Sequence, residues 1–182
     1  PAGKMRNFVR KVAGSSYHGG LPNIVFIHME SLGANRKSFY GNPMQAPPHL
    51  EAIEKRALFF PNFMVPASGT ARTVFGLITG IPDVTWGGST ATRNALISQQ
   101  YTLVNSFKGY KKLYFIGGDA GWANVQGLLQ HSIPDLEVWQ EKDYHKPAAD
   151  VWGISDHNLL EAANNRLNSF QSDQPLVAFM QL

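Results

Sequence analysis

Short apolar runs alternate with helix-patterned segments along this chain, and that alternation constrains its fold more than any other feature. NIVFIHM (Asn23–Met29) is almost wholly apolar and reads as a strand buried on both faces. PHLEAIEKRA (Pro48–Ala57) carries Leu50 and Ile53 at helical spacing. LFFPNFMV (Leu58–Val65) is strand-like, with Pro61 marking an edge or a bulge. Thr70–Thr79 reads as a buried helix stopped at Gly80, and Leu103–Tyr110 as a helix ending at Gly109. KKLYFIGG (Lys111–Gly118) is a strand, Trp122–Ser132 a helix and LEVWQ (Leu136–Gln140) a short strand. Ser155–Phe170 is an amphipathic helix with Leu159, Leu160, Ala163, Leu167 and Phe170 inward. PLVAFMQL (Pro175–Leu182) is a last buried strand. Such an order predicts an α/β fold, a mostly parallel sheet with helices on both faces.

The chain has 182 residues, the length of one domain or most of one. A hydrophobic share of 43% supplies a core. Net charge is +3, and four of the positive charges, Lys4, Arg6, Arg10 and Lys11, lie at the start. No basic stripe interleaved with aromatics follows, which argues against nucleic-acid binding. The basic start is either a solvated helix or a segment lying against anionic lipid. The absence of cysteine excludes a disulfide framework, a thiolate zinc site and a cysteine nucleophile.

Ligands of parallel sheets sit beyond the carboxyl ends of the strands. The residues to inspect are therefore Glu30–Gly33, Ala67–Thr70 and Gly117–Trp122. Glu30 ends an apolar strand, so its carboxylate either faces water or meets a cation, and a hard divalent metal would suit it. His28 lies two residues earlier on the same strand face, as a core histidine or a ligand. In PASGTARTVFGLITGIP (Pro66–Pro82), Thr70 stands where a helix begins. It is either the cap of that helix or a nucleophile at its positive end. Asp156-His157 has the look of a metal pair, but Ser155 reads as a helix cap with Asp156 in the first turn. Asp119 reads as an acid at a helix start.

NIVFIHMESLGANRKSFYGNP, APPHLEAIEKRALFFPNFMVPASGTARTVFGLITGIP, GDAGWANVQGLLQ and ADVWGISDHNLL together resemble the sulfatase-like lipoteichoic acid synthases and their phosphoglycerol-transferase relatives, within the alkaline phosphatase superfamily. The resemblance runs from Asn23 to Leu182. It implies that Glu30 is a metal ligand and that Thr70 is both nucleophile and metal ligand. The implied metal is manganese, magnesium or zinc. Trp122 matches a residue contacting the substrate's phosphoglycerol head, and Asn124 stands where an Arg is expected. Ser68 and Arg72 have the spacing of the sulfatase C/S-x-P-x-R signature, but Thr70 replaces its proline. That favours Thr70 over Ser68 and leaves Arg72 as a candidate substrate contact.

The resemblance implies a metal-dependent phosphoryl-group transferase with a phospho-threonine intermediate. Its donor would be a lipid-linked phosphoglycerol compound and its acceptor a glycan or glycolipid. The alternatives are a sulfatase or phosphodiesterase of the same superfamily, and a non-catalytic glycan- or lipid-headgroup-binding domain. Glu30 and Thr70 are too few ligands for a metal. The sequence is therefore expected to be an incomplete N-terminal portion: residues 1–22 a basic lead-in, residues 23–182 the first part of a catalytic domain. By the same resemblance, membrane attachment comes from segments outside this chain, with the catalytic domain on the periplasmic or extracellular side of the cell membrane.

Overall fold

The final apolar run of the sequence lies inside the sheet. A computed structural model of the chain describes residues 19–44, 48–65, 67–85, 100–170 and 173–182. Its strands are β1 (Ile24–His28), β2 (Lys111–Ile116), β3 (Leu136–Trp139) and β4 (Leu176–Gln181). They form one sheet in the order β1-β4-β2-β3, with every pair parallel. β4 is buried at every position because it has a strand on each side and helices above and below.

Side-chain alternation divides the core in two. Tyr114, Ile116, Val177 and Phe179 face helices α2 (Thr70–Thr79) and α3 (Val125–Ser132), meeting Val74, Phe75, Ile78, Leu128 and Leu129. Leu113, Phe115, Ala178 and Met180 face the opposite way, toward Leu159 and Ala163 of α4 (Asp156–Asn168). Helices thus cover both faces of the parallel sheet, as the alternation requires. On the α2 side the register aligns Phe26 with Phe179 and Phe179 with Tyr114. The first pair stacks at 4.5 Å between ring centroids.

Local signals set the helix ends. Ser155 accepts a hydrogen bond from the Asn158 N–H and caps α4, with Asp156 in the first turn. α2 stops at Gly80, which takes the left-handed conformation.

The structure corrects several expectations. β1 is not buried on both faces: it is an edge strand, and Val25 and Ile27 on its α4-side face are 46% and 53% exposed. Leu58–Val65 forms no strand, because the chain turns at Pro61, where the Phe63 N–H donates to the Phe60 carbonyl. Ala67–Thr70 therefore follows a loop. α1 (Pro48–Glu54) buries none of its residues, and Ile53 is exposed. Leu103–Tyr110 contributes only a 3-10 turn over Leu103–Ser106, capped reciprocally by Thr102 and Asn105, because Phe107 leaves helical geometry. Trp122–Ser132 is not one helix: Ala123 and Asn124 have φ of 50° and 58°, and this kink separates a short turn from α3. Leu160 is partly exposed on the outer side of α4. The basic residues Lys4, Arg6, Arg10 and Lys11 lie outside the described residues.

Candidate active site

Glu30 and Thr70 meet. The Thr70 hydroxyl donates a 2.6 Å hydrogen bond to Glu30 Oε1 across forty residues of sequence. Both line an open cleft of about 520 Å³ with His28, Ser31, Ser68, Gly69 and Thr73 among its walls. The cleft lies at the carboxyl end of the parallel sheet, where such folds bind ligands.

Glu30 is fixed through its backbone. The ladder between β1 and β4 continues past the strand ends: Leu182 N–H donates to the His28 carbonyl at 3.0 Å, and Glu30 N–H to the Leu182 carbonyl at 3.2 Å. Ser31 then takes φ of 57°, a left-handed conformation that costs energy for a residue with a Cβ. The chain thereby leaves the sheet plane directly after Glu30.

Thr70 opens α2 but does not cap it. The N-cap is Gly69, at φ 90°, which has no side chain to close the helix start. Thr73 braces the same turn, its hydroxyl meeting the carbonyls of Ala67 (3.2 Å) and Gly69 (3.1 Å). The Thr70 oxygen thus sits at the positive end of a ten-residue helix, held to a carboxylate. That removes the capping alternative.

His28 is half-buried at the end of β1 and lines the cleft, so it is not a deep core histidine. Burial lowers its pKa, partly offset by the charge of Glu30. Beneath the cleft the buried Tyr114 hydroxyl donates to Gln181 at 2.6 Å. Burial, then the nearby Glu30 charge, pushes the Tyr114 pKa up, which keeps it a donor.

The other expected site residues do not line this cleft. Arg72 is in the first turn of α2. Asn124 lies over the start of α3, its amide so near Gly127 that a Cβ there would fall 2.2 Å from Asn124 Oδ1. Trp122 is half-exposed beyond β2 and packs edge-to-face against Trp152. Trp152 escaped the sequence reading. Its available signal was a tryptophan between Asp150-Val151 and a glycine, away from any apolar periodicity. Asp156 and His157 belong to the start of α4, as their capping sequence implies. Asp119 accepts from the Gly121 N–H at 2.8 Å, as a turn acid.

Glu30 and Thr70 offer a hard divalent ion two adjacent oxygen donors, which fits part of such a site. Among the described residues no cluster of three or more His, Asp or Glu side chains completes it.

Fold and cleft together define an α/β protein with a candidate ligand site at the carboxyl end of a parallel sheet. The chain belongs to the sulfatase family, whose model matches residues 22–182. Its fold is shared with an alkaline phosphatase superfamily protein from Vibrio parahaemolyticus, at 23% identity and a TM-score of 0.76, over 91% of this chain and 41% of that one. It is similar to the lipoteichoic acid synthase LtaP from Listeria monocytogenes, at 18% identity and a TM-score of 0.75, over 88% of this chain and 40% of that one. The soluble domain of lipooligosaccharide phosphoethanolamine transferase A from Neisseria meningitidis matches at 17% identity and a TM-score of 0.64, over 90% and 45%. The chain spans less than half the length of each of these structures.

Proposed function

We propose that this chain carries the nucleophile side of a metal-dependent phosphoryl transferase site of the lipoteichoic acid synthase type. The observation that carries the reading is the 2.6 Å contact between Thr70 and Glu30 at the mouth of the sheet. The similarity to two proteins named as a lipoteichoic acid synthase and a phosphoethanolamine transferase supports it through the fold.

In this reading Thr70 Oγ1 attacks the phosphorus of a lipid-linked phosphoglycerol-type donor. Its O–H proton passes to Glu30 Oε1, which already accepts the hydroxyl's hydrogen bond, and from there to solvent. The bond from phosphorus to the lipid alcohol breaks, that alcohol departs with a proton from solvent, and a phospho-threonine ester remains. A glycan or glycolipid hydroxyl, or water, then displaces threonine from phosphorus. N–H groups at the start of α2 and its dipole face the developing negative charge. A divalent ion bound by Glu30 and Thr70 would lower the hydroxyl's pKa and offset phosphoryl charge. Its remaining ligands come from polypeptide outside the described residues. Trp122, Asn124 and Arg72 are proposed substrate contacts, as residues 1–22 are a proposed basic lead-in to a membrane-anchored catalytic domain. No helix among the described residues is long and apolar enough to cross a membrane, so anchoring would lie elsewhere.

The test is a peptide map of the full-length protein purified from its native membrane. A phosphoester adduct on Thr70, in the tryptic peptide Ala57–Arg72, supports the transferase. Ser68 lines the same cleft, and formylglycine there would overturn this reading in favour of a sulfatase.

A further inference from the structure

We propose that Trp122 and Trp152 form a binding corner for a neutral sugar ring. The indoles meet at 5.9 Å between centroids with an interplanar angle of 85°. Although in contact, they remain 50% and 68% exposed. Two tryptophans that pack together while leaving half their surface in water are poorly explained by core packing.

The corner is built from two loops held against one strand end. The loop carrying Trp152 is closed by the Ala149 N–H donating to the Gly153 carbonyl at 2.6 Å. It is tied to β2 by the Ile154 N–H donating to the Gly117 carbonyl at 3.0 Å. The loops approach so closely that a Cβ on Gly118 would lie 2.3 Å from the Trp152 carbonyl oxygen. Trp122 leaves the same strand end through Gly117–Gly121.

A carboxylate lies close to the backbone beside each tryptophan. The Trp152 backbone N–H donates to Asp150 Oδ1 at 2.7 Å. The Trp122 backbone N–H donates to the Asp119 carbonyl at 3.1 Å, and the Asp119 carboxylate accepts from the Gly121 backbone N–H at 2.8 Å. A carboxylate takes several hydrogen bonds, so each retains acceptor capacity for hydroxyl donors. Electron-rich ring faces attract the slightly positive C–H groups of a pyranose, and carboxylates accept its O–H groups. Two acceptors beside the rings suit hydroxyl donors, which favours a sugar.

β1 and β2, whose ends carry Glu30 and this corner, are separated only by β4. Two strand spacings, about 10 Å, separate the strand ends from which Glu30 and the corner depart. In a reaction with a covalent intermediate the donor's alcohol leaves before the acceptor enters, so Trp122 serves both in turn. The assignment of the sugar to the acceptor rests on the transferase reading, whereas sugar binding itself does not.

The experiment uses the full-length protein and saturation-transfer NMR with gentiobiose, lactose and chitobiose. The expected result is contact through the C–H groups of one ring face, with a dissociation constant of about 1 mM. Trp152→Ala and Asp150→Asn weaken it by about tenfold. Protection of Trp122 and Trp152 from N-bromosuccinimide by the bound disaccharide provides the same readout without a variant. Thr70→Ala leaves binding unchanged, so loss of transfer chemistry and loss of sugar binding are separate outcomes. The proposal is overturned if none of the three disaccharides binds at tens of millimolar, or if Trp152→Ala binds as tightly as the wild type. Trp152-dependent binding to phosphatidylglycerol vesicles without sugar binding overturns it in favour of a membrane contact.

Discussion

Thr70 Oγ1 lies 2.6 Å from Glu30 Oε1, joining the first residue of a helix to the second residue past the end of an edge strand. The pair is exposed, so its hydrogen bond adds at most about 1 kcal/mol to folding. If Thr70 is the proposed nucleophile, the contact matters for placing its oxygen, and stability and activity should separate accordingly. Thr70→Ala is expected to leave the thermal midpoint nearly unchanged while lowering turnover by about 1,000-fold or more. Thr70→Ser retains the oxygen and should recover part of the rate. Thermal melts and turnover of the three proteins check this, and parallel loss of both properties would make Thr70 structural.

Glu30→Gln keeps the size of the side chain and a carbonyl oxygen facing Thr70, but removes the charge. If Glu30 is a metal ligand, the variant needs about tenfold more divalent cation for half-maximal activity. Chelation of the wild type should abolish turnover, with manganese, magnesium or zinc restoring it. A variant with an unaltered cation requirement would exclude Glu30 as a ligand.

Glu137 predicts an acid-sensitive part of stability remote from the cleft. Burial would raise its pKa, but hydrogen bonds from Lys111, Trp139 and Arg166 win and hold it at about 2. The unfolded value of 4.5 is higher, so the unfolded chain binds the proton first as pH falls. The stabilisation is complete above pH 4.5 and is lost progressively toward pH 2. Its size is roughly 2 kcal/mol after discounting partial exposure. Denaturant melts from pH 6 to pH 2 should have a shallower acid limb in Glu137→Gln; an unchanged limb would count against the pairing.

Phe75 is buried between α2 and the sheet. Phe75→Ala should destabilise the protein by about 3–5 kcal/mol, through lost transfer energy and the cavity left behind. Because the same helix presents Thr70, activity should decline near the melting transition and not far below it. Urea melts alongside activity at graded temperatures test the link.

The elements legible in the sequence are those whose local signals agree with their environment. α4 has a cap at Ser155, an acid in its first turn and helical spacing at Leu159 and Ala163. β4 is apolar throughout because it is buried throughout. Leu58–Val65 misled because apolar content resembles a strand even where Pro61 turns the chain. β1 misled for another reason: composition does not state that a strand is at an edge. The Ala123–Asn124 kink has no periodic signature, since positive φ at two non-glycine residues is set by surrounding contacts. Strand-end logic selected Glu30, and Thr70 through a strand that does not form; the shared role proposed for them comes from the resemblance. Neither propensity nor periodicity carries a contact across forty residues.

Gly153 offers the sharpest test of how the second loop is held. Its φ is 117°, a region that strains any residue with a Cβ. A Cβ would also lie 2.2 Å from the Gly117 carbonyl oxygen, and backbone cannot yield as a flexible side chain does. Gly153→Ala must therefore push the loop off the end of β2, breaking the Ile154-to-Gly117 hydrogen bond. The expected cost is about 2 kcal/mol or more, from backbone strain and a lost hydrogen bond. Hydrogen exchange should show faster opening at Ile154, while the Val177–Met180 amides of the central strand stay protected. Uniform loss of protection would mean that the loop is integral to global folding, and no change at Ile154 would refute the close approach.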